Sequence, residues 1–325
     1  MKKYKYLLIG DPAGASFVDA SKEEAQLSGL YLWSRTFKIN GEEGKIETLW
    51  RAEELEEYDI VHVNYTPSNI QLPSVIRDEL GNSSSTKLVI NVDLDVHYWG
   101  VNFGYFFMEF IRELKLADVL FHVESKGAEA LEMLLDRKVH VNPHPVDVRN
   151  MYDYMKKDRE PVIGTMYHRY FPNTTIPFIT QRKVPMRRIL FGHVPVGKQG
   201  TVANAGMFDQ IIPRTGFKDY LNEVSKCAIG CDLYEGHTFG RSVIELAALG
   251  VPTVCSSTIE AANELFPLTT IDPYDVKSAE RLFIRLSEDD EFCNTVIKQA
   301  HSLCGEYSLE SSYKRFVEMI ETEDK

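Results

Sequence analysis

Residues 232–257 constrain the fold of this chain most, because they form a strand end, a loop, a buried helix and a second strand in close succession. They read DLYEGHTFGRSVIELAALGVPTVCSS. The helix predicted after Gly240 is apolar on nearly every side, so we expect it to be buried. Gly250 stands where a left-handed C-terminal cap is expected, and Pro252 prevents the helix from continuing. Residues 251–255 then form a short buried strand.

The start of this helix has the properties of an anion-binding site. Ser242 and Glu245 have the S-x-x-E spacing of a capping box. A helix N-terminus presents N–H groups without intrahelical acceptors and the positive end of the helix dipole. Phosphate groups bind at such termini. We therefore expect the helix to point its first turn at a ligand.

The rest of the chain alternates between apolar runs and helical patterns, which predicts an α/β fold with parallel sheets. Prolines and the loss of periodicity in residues 139–147 mark a linker. We therefore predict two domains, 1–148 and 149–306. The strands are predicted at residues 4–10, 59–64, 86–93, 117–125, 161–166, 187–193, 228–233 and 268–271.

Residues 237–253 resemble the signature of retaining family-4 glycosyltransferases of the GT-B fold, roughly E-x-F-G-x-x-x-x-E-A-x-A-x-G-x-P-V. In these enzymes two Rossmann-like, doubly wound parallel-sheet domains face a cleft. A C-terminal helix, here residues 307–325, crosses back to the first domain. The positions that match in register are Phe239, Gly240, Glu245, Ala248, Gly250 and Pro252.

The resemblance implies that the second domain holds the donor site and that Phe239 of the matched signature belongs to this site. Gly240 would allow close backbone approach, and the N–H groups of Arg241 and Ser242 would face the diphosphate. Glu245 would bind the ribose hydroxyls, a role that the capping-box role does not exclude.

The chain departs from the family pattern at the first acidic position of the signature. His237 stands where the family has a glutamate that contacts the donor sugar, while Glu235 lies two residues earlier. His237 could change the choice of donor or abolish activity, and Glu235 could take over the role of the missing glutamate.

The resemblance also implies roles for residues outside the signature. His97 follows a predicted strand, where the family has a histidine that reaches the donor sugar. Gly14, in the loop after the first strand, would face the donor phosphates or the acceptor. Arg169 is the best-placed cation for the diphosphate, and Lys198 is a second candidate.

Composition limits the compartment and the partners. The net charge of -12 disfavours a nucleic-acid or anionic-membrane surface as the main partner. Five scattered cysteines without a C-x-x-C pair favour a reducing compartment, so we expect a cytoplasmic protein. The N-terminus fits a first strand better than a signal peptide, and no run is long enough for a membrane span. The aromatic residues in residues 98–110 leave peripheral membrane contact or acceptor stacking open beside a role in the core.

Together these features predict transfer of a sugar from a UDP- or GDP-linked donor to a glycan, lipid-linked or small-molecule acceptor. The resemblance implies a retaining reaction, and no cofactor or metal is expected. The Asp93-Leu94-Asp95 tripeptide matches a D-x-D metal motif, but that motif belongs to a different glycosyltransferase fold. A sugar-nucleotide epimerase or hydrolase and a non-catalytic nucleotide-sugar or glycan-binding protein remain alternatives. A DNA-base glucosyltransferase is a narrower variant that the net charge disfavours.

Overall fold

The apolar runs of the chain pair as parallel strands. The computed structural model describes residues 4–9, 32–40, 43–47, 52–81, 84–168, 174–192, 206–213 and 216–323. These residues divide into two units, one within Met1–Val146 and Tyr307–Lys325 and the other within Asp147–Glu306. Each unit contains one parallel sheet, with six strands among the described residues. The chain therefore has two Rossmann-like α/β units, as its alternating pattern predicts.

The sheet of the first unit has the strand order β2-β1-β3-β4-β5-β6. Its central strands read as continuous apolar runs because helices cover both faces of the sheet. Polar residues His62, Asn64 and Asn91 interrupt the runs on one face. The strands are β1 (Lys5–Ile9), β2 (Glu43–Glu47), β3 (Ile60–Tyr65), β4 (Lys87–Val92), β5 (Val119–His122) and β6 (His140–Val141).

Helices of the first unit pack on the two faces of this sheet in separate apolar clusters. One cluster includes Ile76, Phe110 and Leu131, from the third, fifth and sixth helices. The other includes Trp33 and Phe37 from the first helix. The helices are α1 (Leu32–Ile39), α2 (Ala52–Leu55), α3 (Leu72–Leu80), α4 (Val96–Asn102), α5 (Phe107–Leu114) and α6 (Ser125–Leu135).

The last helix of the chain, α14 (Leu309–Glu323), belongs to the first unit. Phe316 and Ile320 lie in the same apolar cluster as Trp33 and Phe37. The ring of Phe316 lies 5.3 Å from that of Trp33 and 5.4 Å from that of Phe37. This packing confirms the expectation that the C-terminal helix returns to the first half of the chain.

A hydrogen-bonded polar chain lies within that apolar face. The Tyr6 hydroxyl and His62 Nδ1 are 2.6 Å apart, and His62 Nε2 and Asn91 Oδ1 are 2.7 Å apart. The Asn91 amide donates in turn to Asn64 Oδ1 at 2.6 Å. His62 is fully buried, and burial lowers its pKa to about 3. His62 is therefore a neutral structural group at physiological pH.

The sheet of the second unit has the order β9-β8-β7-β10-β11-β12, which is the strand order of dinucleotide-binding Rossmann domains. The order reverses between β7 and β10, which pair side by side with Cys231 opposite Thr165. Ligands of open α/β sheets bind at such a switch point, beyond the carboxyl ends of the strands. The strands are β7 (Glu160–Met166), β8 (Arg187–Gly192), β9 (Gln210–Pro213), β10 (Cys227–Asp232), β11 (Thr253–Ser256) and β12 (Thr270–Ile271).

The helix predicted from residues 232–257 is the centre of the second unit. It spans Arg241–Ala248, and the six residues Val243–Ala248 are all buried. Gly250 has φ +67°, as expected for a left-handed cap. The helices of this unit are α7 (Val148–Tyr152), α8 (Thr175–Gln181), α9 (Phe217–Val224), α10 (Arg241–Ala248), α11 (Glu260–Leu265), α12 (Val276–Glu288) and α13 (Asp290–Leu303).

Candidate functional site

The loop that leads into α10 is held by main-chain hydrogen bonds to the segment after β11. Glu260 N–H donates to the Thr238 carbonyl at 2.9 Å, and Ala261 N–H donates to the Phe239 carbonyl at 3.0 Å. Phe239 is buried, at 6% exposure. Because its backbone is paired as in a strand, the loop holds the start of α10 in a fixed position.

Gly240 is the residue at which the chain turns into α10. It has φ +92° and ψ +52°, a left-handed conformation that L side chains rarely adopt. A Cβ atom here would lie 2.2 Å from Cγ2 of Ile259, which is fully buried. Only glycine therefore fits, and the N–H groups of the first helical turn can be approached closely.

The capping box predicted for this helix is wrong. Gly240 is the N-cap residue, and Ser242 lies inside the helix. The Ser242 hydroxyl donates instead to Asp232 Oδ2 at 2.5 Å. Because the helix begins at Arg241, Ser242 is its second residue and cannot cap it, and its hydroxyl serves as a donor to the Asp232 carboxylate.

Glu245 lies one turn into the helix, almost fully buried at 1% exposure. Arg241 Nε donates to Glu245 Oε1 at 2.8 Å, an i,i+4 ion pair along α10. The Arg241 guanidinium also lies over the Phe217 ring, 5.5 Å from its centroid. The predicted role of this carboxylate towards ribose stays a prediction.

Asp232 and His168 are polar residues at the switch point that the sequence analysis did not single out. Asp232 ends β10 with no exposed surface, and His168 follows β7 by two residues. His168 Nε2 lies 2.6 Å from Asp232 Oδ1, and the His168 ring stacks on Tyr234 with centroids 4.2 Å apart. A charged residue at the end of an apolar strand was the signal that could have found Asp232.

Glu235 and His237, the two candidates for the role of the family's first glutamate, lie on the loop before α10 and have different surroundings. Glu235 accepts a hydrogen bond from the Tyr274 hydroxyl at 2.8 Å. His237 is exposed to solvent. The position of Glu235 is therefore fixed by a tyrosine beyond β12, whereas the His237 side chain projects from the surface.

The structure describes one of the four remaining predicted site residues. His97 follows β4, as the sequence analysis expected, and the strand ends five residues earlier, at Val92. It lies exposed in the first turn of α4, and its N–H donates to the N-cap Asp95. Gly14, Arg169 and Lys198 lie outside the described residues.

A metal-binding cluster and a membrane-spanning helix are not found in the described part of the chain. It holds no group of three or more His, Cys, Asp or Glu side chains that could bind a metal ion. Over the same residues, no helix combines the length and the apolar character needed to cross a bilayer.

The architecture of the chain is shared with glycosyltransferases of known structure. The Anabaena protein HepE in complex with UDP-glucose is 13% identical, with a TM-score of 0.71 over 98% of this chain and 100% of that chain. An α-glucosyltransferase in complex with UDP and a 13-mer DNA containing an HMU base is 14% identical, with a TM-score of 0.68 over 100% of both chains. An α,α-trehalose 6-phosphate synthase from Burkholderia multivorans is 13% identical, with a TM-score of 0.65 over 83% of this chain and 74% of that chain.

These likenesses show that the chain has the GT-B fold. No protein-family model and no curated protein matches the sequence. At identities of 13–14% the likeness extends to the fold alone. The activity of this chain must therefore be argued from its own residues.

Proposed function

We propose that this protein is a glycosyltransferase that moves a sugar from a nucleoside-diphosphate donor, UDP- or GDP-linked, to a hydroxylated acceptor. The observation that carries the proposal is the glycine-led start of α10, beside the switch point of a Rossmann-ordered sheet. Structural neighbours with the same fold bind UDP or UDP-glucose.

In the proposed reaction the nucleotide lies along α10. The N–H groups of its first turn bind the diphosphate, and Glu245 binds the ribose. Arg169 and Lys198 are proposed to add positive charge as the bond to the sugar breaks. Fixed N–H dipoles and cations stabilise the negative charge that develops on the leaving diphosphate.

The finer features of the reaction belong to the same proposal. We propose that His97 contacts the donor sugar and that His237 contacts its hydroxyls in place of the usual glutamate. We also propose that the reaction retains anomeric configuration and requires no metal. The acceptor is a glycan, a lipid-linked sugar or a small molecule, and the protein is proposed to be cytoplasmic.

The experiment that tests the proposal begins with a thermal-shift screen of nucleotides and nucleotide sugars, because a ligand that binds only the folded state raises Tm. Each donor that binds is then incubated with a panel of glycan acceptors, and the released nucleoside diphosphate is measured. Acceptor-dependent release with a glycosylated product supports transfer. Release without an acceptor indicates a hydrolase, and an altered sugar on an intact nucleotide indicates an epimerase.

A non-catalytic nucleotide-sugar-binding protein is the second candidate, and His237 at the family's glutamate position favours it. Nucleotide-sugar binding by calorimetry without turnover on any acceptor would establish this alternative. A DNA acceptor is favoured by the α-glucosyltransferase neighbour and disfavoured by the net charge of -12. Including a 13-mer DNA with an HMU base in the acceptor panel decides that question.

A further inference from the structure

Three polar side chains from three different segments meet at the switch point of the second unit. His168 follows β7, Asp232 ends β10, and Ser242 lies in the first turn of α10. Each of the two Asp232 oxygens lies near one of the other groups, His168 Nε2 at 2.6 Å and Ser242 Oγ at 2.5 Å. These two contacts limit the separation of Nε2 and Oγ to about 7 Å. The histidine therefore lies beside the helix terminus at which the nucleotide phosphates are proposed to bind.

Asp232 is a costly residue to bury, and its environment explains how the fold accommodates it. An ionised carboxylate without exposed surface requires donors to both of its oxygens. The Ser242 hydroxyl satisfies one oxygen, and the histidine ring satisfies the other through Nε2. Stacking on Tyr234 fixes the plane of the same ring. One edge of the His168 ring is thus held in place by the protein.

The His168 ring is not fully enclosed by the protein. Although Nε2 is engaged with a fully buried carboxylate, the His168 side chain retains 23% exposure. The second nitrogen, Nδ1, is separated from Nε2 by Cε1 and directs its hydrogen bond along a different line, so a ring held through Nε2 can present Nδ1 to a ligand. The switch point is where ligands of this sheet type bind.

We propose that His168 binds the phosphates of the nucleotide through Nδ1, with Asp232 as the residue that positions its ring. The inference rests on the proposed function, since it assigns a further contact to the same donor site. In the complex one ring N–H donates to Asp232 and the other to a phosphate oxygen, so the histidine lies between the buried carboxylate and the anionic ligand.

This arrangement gives the site a preference for phosphorylated ligands. The contact is made with phosphate and not with the nucleoside. Loss of the Nδ1 donor should therefore weaken UDP binding and leave uridine binding unchanged. A charge-assisted hydrogen bond of this type corresponds to roughly 10-fold or more in affinity.

Two amide substitutions separate the ligand contact from the structural contact. His168→Gln places an amide near the position of Nε2, so it can still donate to Asp232 while Nδ1 is lost. His168→Asn places its amide near the position of Nδ1 and loses the contact with Asp232. His301→Gln, in α13 of the same unit, is the matched control. UDP affinity is measured by calorimetry, uridine affinity by ligand-observed NMR, and Tm for each variant.

The expected result is that His168→Gln binds UDP at least about 10-fold more weakly than the unsubstituted protein. Its Tm should stay within about 2 °C and its uridine affinity within about 2-fold. His168→Asn should retain more of the UDP affinity and lose more of the Tm. Unchanged UDP affinity in His168→Gln would overturn the inference, because His168 would then be a structural partner of Asp232 alone. If the unsubstituted protein binds neither UDP nor any other nucleotide, the proposed function fails and not this inference alone.

Discussion

Replacing Gly240 with alanine tests whether the start of α10 is as tightly determined as its geometry indicates. The left-handed backbone at φ +92° costs a non-glycine residue about 1 to 2 kcal/mol. The added methyl group would lie 2.2 Å from Ile259 Cγ2, and overpacking of this kind costs about 1 to 3 kcal/mol. We therefore expect Gly240→Ala to lower the free energy of unfolding by about 2 to 5 kcal/mol.

Gly81→Ala is a control for positive φ without a steric clash, with ψ of 173° at Gly81 against 52° at Gly240. Gly81 also has positive φ, +64°, but a Cβ there would meet nothing within 4 Å. It should cost only the backbone strain, about 1 to 3 kcal/mol. Adding Ile259→Ala to Gly240→Ala removes the clashing methyl group. The double variant should therefore lose less free energy of unfolding than the sum of the losses in the two single variants.

The assay is urea denaturation followed by circular dichroism and by intrinsic fluorescence, since agreement between probes checks for two-state behaviour. The contact with Ile259 predicts that Gly240→Ala is clearly more destabilised than Gly81→Ala. Equal destabilisation of the two variants, or no coupling between Gly240 and Ile259, would refute the steric argument.

Three further substitutions test other parts of the account. Glu245→Gln should raise KM for the nucleotide sugar by roughly 10-fold or more, because a charged acceptor for the ribose is lost. A lower Tm with unchanged KM would show that Glu245 only stabilises the fold through its ion pair with Arg241. His237→Glu should change the preference within a panel of nucleotide sugars, and an unchanged preference would show that this position does not select the sugar. His62→Gln should reduce the acid sensitivity of folding. Because burial lowers the pKa of His62 to about 3, its contribution is fully present above the unfolded pKa of about 6.5. That contribution is lost as pH falls from about 6.5 towards 3, with a slope of about 1.4 kcal/mol per pH unit. Urea titrations between pH 7 and 5 should therefore show that the free energy of unfolding falls less steeply with decreasing pH in the variant than in the unsubstituted protein. Equal slopes in the two proteins would contradict the assignment.

Local signals explain why much of the second unit could be predicted from the sequence. The fully apolar helix, Gly250 at its end and the alternation of strands and helices are each encoded within a few residues. Gly250 adopts the left-handed cap conformation expected of it. The return of the C-terminal helix to the first unit was instead expected from the resemblance to GT-B enzymes, and the structure confirms it.

Interactions between distant residues account for what the sequence analysis missed. His168 and Asp232 are 64 residues apart and meet only because β7 and β10 are neighbours at the switch point. The capping box failed because the left-handed Gly240 starts the helix, so that Ser242 lies inside it and bonds a carboxylate from another element. The short edge strands β2 and β9 were also missed. Their sequences lack the long apolar runs that identify the central strands.

The exposed aromatic residues of the first unit were only partly anticipated. Trp99 and Phe110 are buried in the core, as the core interpretation of residues 98–110 predicts. Tyr105 is fully exposed and Phe106 is about half exposed, in the turn between α4 and α5. Contact with an acceptor or a membrane therefore stays a prediction for this turn alone.

The most direct test of the account is a crystal structure of the protein with UDP. The account predicts phosphate oxygens within hydrogen-bond distance of the N–H groups of Arg241, Ser242 and Val243, with the ribose hydroxyls at Glu245. A nucleotide bound at the sheet of the first unit, or bound with its phosphates away from the start of α10, would contradict it.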